Sequence, residues 1–257
     1  RDREVGETVA ALRSQFVHLE RLIGSEVHAG PLTEKVRVRE PGWLKAAEGE
    51  ERWPVSAAVM VAIALQLFLP ERLTIRPGWL MPTLEGALAV GLFVANPRHI
   101  NRRSMYLRVA SLTLIALTSI ANAWSSFELI RGLVEGTMGQ HARPLLSTGA
   151  SIWLTNVIVF ALWYWEWDRG GPVARAMGGR PYPDFLFPQM TVDHLAPDDW
   201  RPTFADYFYL SYTNATAFSP TDVMPLVRWA KMLMLAQSAI ALVTVALVIA
   251  RAVNILT

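Results

Sequence analysis

Apolar residues in this chain gather into long unbroken runs instead of recurring at every second or fourth position. That bunching predicts membrane-crossing helices. Five runs stand out. Residues 54–69 follow Trp53, an interfacial anchor, and stop at Pro70. Residues 79–95 contain Glu85 and end before Asn96-Pro97. Residues 105–130 form the longest of the first four and carry Arg108, Asn122 and Glu128. Residues 146–167 close on Trp163, Tyr164, Trp165 and Trp167, an aromatic cluster of the kind found where a helix leaves hydrocarbon. Residues 226–255 hold no Gly or Pro. The expectation is an all-α polytopic membrane protein with five transmembrane helices.

Outside the runs the pattern changes. Val5, Val9, Leu12, Phe16, Leu19 and Ile23 are spaced alternately by four and three, a heptad seam that Gly24 ends. Residues 1–28 therefore read as an amphipathic helix, either a coiled-coil strand or a helix lying on a surface. The chain opens on charged and polar residues, without a signal-peptide pattern. Residues 29–53 mix Pro, Gly and both charges and read as a linker, residues 54–168 as four transmembrane helices. Residues 169–202 form a loop, rich in Gly and Pro and then acidic at Asp193, His194, Asp198 and Asp199. Those acidic residues suit turns better than a cation site, because their spacing is irregular. Arg98, Arg102, Arg103, Arg169, Arg175, Arg180, Arg228 and Lys231 fall on one side if five spans alternate. The positive-inside rule then puts the N-terminus in the cytoplasm.

Composition narrows the function classes. Charged residues are 18% of the chain and apolar residues 52%, against roughly a quarter charged in soluble domains. The net charge of +2 gives no reason to expect a nucleic-acid partner. Cys is absent, which excludes a disulfide scaffold, a thiolate metal site and a Cys nucleophile. No G-x-S-x-G, H-E-x-x-H or phosphate-cradling Gly loop occurs, and the five His residues lie outside the runs and far apart. Neither an enzyme nor a cofactor or metal is expected.

Residues 203–257 hold a re-entrant pattern. Thr203 with Asp206 marks a helix start, a half-helix follows to about residue 217, and Phe218-Ser219-Pro220 breaks it before Asp222, Pro225 and the last apolar run. Irregular backbone at membrane depth survives only when buried in protein or lining water. From Ser211 on, SYTNATAFSPTDVMPLVRWAK resembles the pore segment of the potassium-channel superfamily, through Ser211, Ala215, Thr216, Asp222, Pro225, Trp229 and Lys231, within about residues 206–251. The resemblance implies a homo-oligomer, a tetramer in that family, passing monovalent cations. Its filter-like residues would be Thr216, Ala217, Phe218, Ser219, Pro220, Thr221 and Asp222. In place of TVGYG stand Ala217-Phe218-Ser219-Pro220-Thr221, with both glycines gone. A regular stack of carbonyls needs those glycines, so a poorly selective path, or one closed by Phe218, is expected. A cytoplasmic loop also conflicts with the outward-facing pore loop of that family. The overall layout resembles bacterial integral membrane families of unassigned function, which implies a bacterial inner membrane.

Several polar residues inside the runs carry alternatives. Glu85 is either an intramembrane proton or cation site, or a structural residue that lies near the interface or pairs with Arg76 or Arg108. Asn122 and Asn156 fit hydrogen bonds between helices. Gln237, Ser238 and Thr244 form a polar face on the last helix, either water-lined or holding helices together. Asp222 is an acidic ring at a mouth or an Asx-type cap. The sequence thus points first to an oligomeric channel-like protein in the lipid bilayer. A non-conducting scaffold or regulatory subunit comes second, and a transporter coupled through Glu85 third.

Overall fold

A computed structural model describes residues 41–95, 104–138, 141–178, 180–191, 196–216 and 222–256. The heptad seam, the basic stretch 98–103, Asp193, His194 and the filter-like residues Ala217, Phe218, Ser219, Pro220 and Thr221 lie outside these.

Helices occupy the apolar runs. They are α1 (Trp53–Leu67), α2 (Leu80–Ala95), α3 (Met105–Val134), α4 (Ala142–Trp167), the single-turn α5 (Pro172–Ala176), α6 (Phe204–Thr216) and α7 (Arg228–Leu256). Pro54 suits the first turn of α1, where its missing N–H costs nothing, and Pro70 bars continuation beyond Leu69. Gly136, at φ +71°, lets the chain turn out of α3, with its N–H donated back to the Leu133 carbonyl. The helices α3, α4 and α7 are long and apolar enough to cross a membrane. The helices α1 and α2 are apolar but shorter, at 15 and 16 residues, or about 22–24 Å.

At the centre stands α4, with 61% of its apolar window buried against 28% for α3 and 22% for α7. It runs antiparallel to α7: Trp167 meets Trp229 at one end, and Gly149 meets Val248 toward the other. A Cβ on Gly149 would lie 2.9 Å from the Val248 methyls, so glycine is what lets these helices approach. The outward faces carry Phe68, Val90, Val94, Ile120, Met232, Leu235, Ile249 and Val253 in exposed positions.

The helix α6 starts as the sequence suggests, with Asp206 accepting hydrogen bonds from the amide and hydroxyl of Thr203 at 2.7 and 2.9 Å. It then descends along α4, from Phe204 beside Trp165 to Tyr212 beside Trp153. By Met224–Pro225 (β2) the chain is back at the level where it began. There β2 pairs antiparallel with Phe185–Leu186 (β1), and Leu226 donates to the Asp184 carbonyl. Residues 41–52, read from sequence as linker, are bound into this end of the bundle. Ala46 bridges to Met177, and Glu50 pairs with Arg175.

Candidate functional site

A cavity of about 550 Å³ opens where the N-terminal halves of α1 and α3 meet the C-terminal ends of α2 and α4. Helical periodicity builds each wall. Arg52, Val55, Ser56 and Val59 come from the start of α1, and Arg108, Ser111, Leu114 and Ile115 from α3. From α4 come Leu162, Trp165 and Glu166, one turn apart. Ala89 and Leu92 of α2 close one side, and Gly170-Gly171-Pro172 covers another. Gly171 sits at φ +95°, and a Cβ there would lie 2.8 Å from the Glu166 carbonyl oxygen, so the cover can be this close only with glycine.

The floor is apolar and the mouth carries charge of both signs. Glu166 is 4% exposed, and the one hydrogen bond its carboxylate accepts among the described residues is from the Ser111 hydroxyl at 3.2 Å. Arg52 has its Nε enclosed without a partner, and Arg108 is exposed. Neither guanidinium makes an ion pair among the described residues. Arg108 is close enough to Glu166 to act on it electrostatically.

Behind this mouth, on the other side of Trp165, the end of α4 is closed by a fully partnered knot of charge. Arg175 donates to Glu50 Oε1 at 2.7 and 3.0 Å and to the Trp165 and Asp168 carbonyls at 2.7 and 2.9 Å. Those carbonyls are among the last of α4, which a helix leaves unpaired and where positive charge is favoured. The Asp168 carboxylate accepts from the amides of Asp184 and Phe185 and, at 2.6 Å, from the Tyr207 hydroxyl. Arg169 takes φ +53°, costly for a residue with a Cβ. Its guanidinium offsets that by donating to the carbonyls of Trp43, Gly178 and Arg180. Burial opposes the Arg175 charge, but Glu50, Tyr207 and Asp168 outweigh it and hold the guanidinium above its ordinary pKa. Burial pushes the Tyr207 hydroxyl well above its usual range; Asp168 and Glu50 add to this, against the opposing pull of Arg175.

The residues singled out in the sequence do not gather at one place. Gln237 and Ser238 come together with α6. Gln237 Oε1 accepts from Tyr164 at 2.6 Å and Asn214 at 2.8 Å, and its Nε2 donates to Ser211. Ser238 donates to Asn214. Gln237 is fully buried and its polar atoms are bonded to α4 and α6, so at this position the face holds helices together. Thr244 lies two turns further on, buried, its hydroxyl without a partner. Thr216, exposed at the end of α6, donates back to the Tyr212 carbonyl, and Asp222 is exposed. Glu85 is fully buried between helices and bonded by Gln66 of α1 at 2.9 Å. The alternative of a pairing with Arg76 or Arg108 is corrected: a neutral amide meets the carboxylate, and Glu85 Oε1 has no hydrogen-bond partner among the described residues. Asn156, likewise, has no hydrogen-bond partner for either amide atom among the described residues.

Sequence reasoning missed the cavity. Its visible signals were Arg108, named above only as a polar residue of its run and an alternative partner of Glu85, and Glu166, a carboxylate among the aromatic residues that close the run 146–167 and not singled out there. No family model matches the chain, and neither a curated protein nor a solved structure does. The potassium-channel resemblance thus stands on the quoted residues alone.

Proposed function

We propose that the protein is an integral membrane protein of five crossings that binds an amphiphilic molecule in the cavity among α1–α4, and that it does not conduct ions through its own fold. The cavity carries the reading. An apolar floor with a few convergent polar groups, at a volume within the ~300–1,000 Å³ of ligand pockets, is the usual form of a small-molecule site. Position adds to it. Trp53, exposed beside Arg52, sits where an aromatic belt meets headgroups, so the mouth opens at the bilayer interface and the floor at hydrocarbon depth.

Five crossings are supported by the reach of the α1–α2 hairpin. Its Leu73 carbonyl accepts from Ser125 of α3 at 2.8 Å. Ser125 lies twenty residues from Met105, about 30 Å along the helix and a full hydrocarbon thickness. Under the positive-inside rule, the basic residues flanking α3, α4 and α7 support a cytoplasmic cavity mouth and N-terminus. In this arrangement α6 enters and leaves on that same side, a re-entrant half-helix.

That half-helix is the observation favouring a second reading, the oligomeric channel, in which copies meet around the 217–221 segment and the exposed α7 face. Against it, the polar atoms of Gln237 are already used within one chain. Two measurements separate the readings. Added long-chain amphiphiles are expected to raise the thermal midpoint of the purified protein in detergent, and Ala89→Phe, which projects a ring into the cavity and narrows it, to diminish the rise. Liposomes carrying the protein are expected to leak potassium and sodium no faster than empty ones, with or without Phe218→Ala. Flux without an amphiphile response would reverse the choice.

A further inference from the structure

The mouth of the cavity carries more information than its floor. Its groups are incompletely partnered in two opposite senses. A carboxylate accepts up to about four hydrogen bonds, and the buried Glu166 accepts one among the described residues. Two guanidiniums, Arg52 and Arg108, border the same space without an ion pair among the described residues. A bare carboxylate in an apolar wall calls for a donor cation, and paired guanidiniums call for a phosphate, whose geometry their planar forks match. An anionic head would satisfy the arginines but face Glu166. A simple cation would satisfy Glu166 but face the arginines.

From this we propose that the cavity is a site for a zwitterionic phospholipid with a primary ammonium head. Its phosphate is held by Arg52 and Arg108, its ammonium by Glu166, and one acyl chain lies against Val59, Leu92 and Leu114. Phosphate and ammonium in such a head are a few bonds apart, so a head lying across the mouth reaches both signs while its chain follows the apolar floor inward. Ser111, by bonding one oxygen of Glu166, turns the carboxylate and leaves its remaining acceptor capacity for the ammonium. The assignment rests on the amphiphile reading above and adds the head.

The test is native mass spectrometry of the full chain in detergent, with phosphatidylethanolamine, phosphatidylcholine and phosphatidylglycerol as competing probes. The unmodified chain is expected to retain phosphatidylethanolamine roughly tenfold over phosphatidylglycerol, the scale of one charge-assisted hydrogen bond. Phosphatidylcholine should also bind less well, because a trimethylammonium donates no hydrogen bond. Glu166→Gln is expected to erase the preference while total lipid retention persists, and Arg108→Gln to weaken all three lipids alike. Should Glu166→Gln not fold, the three-lipid series on the unmodified chain decides alone. Equal retention of the three lipids would overturn the head assignment and leave the amphiphile reading standing. Retention no greater than that of Ala89→Phe would overturn both.

Discussion

The two sides of Trp165 treat charge in opposite ways. On one, Arg175, Glu50, Asp168, Tyr207, Asp184 and Arg169 are knitted by short bonds into a knot that anchors residues 41–50 and 169–186 to the end of α4. On the other, Arg52, Arg108 and Glu166 face a cavity and make no hydrogen bond to one another among the described residues, Glu166 accepting a single 3.2 Å bond from Ser111. A buried charge is tolerated when its partners are complete and is costly when they are not. The knot is thus accounted for by folding alone. The mouth is not, and a ligand that completes it supplies the missing partners.

The largest effect expected from breaking this comparison is at Arg175. Arg175→Met should destabilise the protein by about 3–5 kcal/mol, since Glu50 loses its cation and the Trp165 and Asp168 carbonyls at the end of α4 each lose a donor. The check is the thermal midpoint in detergent. Combining it with Glu50→Leu should restore part of the loss, because the double variant no longer buries an unpaired carboxylate. A strictly additive double variant would mean that the two side chains do not act as a pair.

Tyr207→Phe comes next. It removes a hydrogen bond to a buried carboxylate, at a cost of about 1.5–3 kcal/mol. It also carries a pH signature. The folded-state pKa of Tyr207 is raised, above the ordinary value of about 10. Below that pH the phenol is neutral in both states and its contribution is fully present. As pH rises further the unfolded chain ionises first, and the contribution is lost until the folded-state pKa is passed. Midpoints of the unmodified protein and Tyr207→Phe should therefore converge between about pH 9 and pH 11. A constant gap would place the effect elsewhere.

The knot also marks where sequence stops being informative. The helices were legible because an apolar run long enough to cross hydrocarbon has few alternatives, and Thr203 with Asp206 gave the start of α6 through purely local chemistry. The knot joins Glu50 to Arg175 and Trp43 to Arg169, pairs 125 and 126 positions apart. No periodicity encodes such a pairing, so residues 41–52 read as linker. Glu85 failed differently. A search for opposite charge favoured Arg76 or Arg108, while the helices placed the neutral Gln66 amide against it. The polar face of α7 was legible as a face, but whether it met water or Ser211 and Asn214 depended on where α6 lay.

Gln237→Leu is expected to cost about 1–3 kcal/mol, because it strands the buried Tyr164 hydroxyl, the Asn214 amide and Ser211. The readout is again the midpoint, together with unchanged lipid retention, since the network stands apart from the cavity lining. A loss of retention equal to the loss of stability would tie the two regions together and weaken their separation.

The smallest expected effect is the sharpest test of the contrast. Arg108→Gln removes an exposed guanidinium that makes no ion pair among the described residues, so the lipid-free protein should change by no more than about 0.5 kcal/mol. Arg175→Met, by contrast, is severe, although both changes remove one arginine from the same end of the bundle. The difference should reverse when amphiphile is added. The unmodified protein gains stability by mass action in proportion to bound ligand, and Arg108→Gln gains less because the phosphate loses one of its two cations. Midpoints measured against increasing phosphatidylethanolamine should therefore start together and separate. Curves that stay superimposed would remove Arg108 from the site; curves already apart without lipid would make it a structural residue, and the two sides of Trp165 would no longer differ in kind.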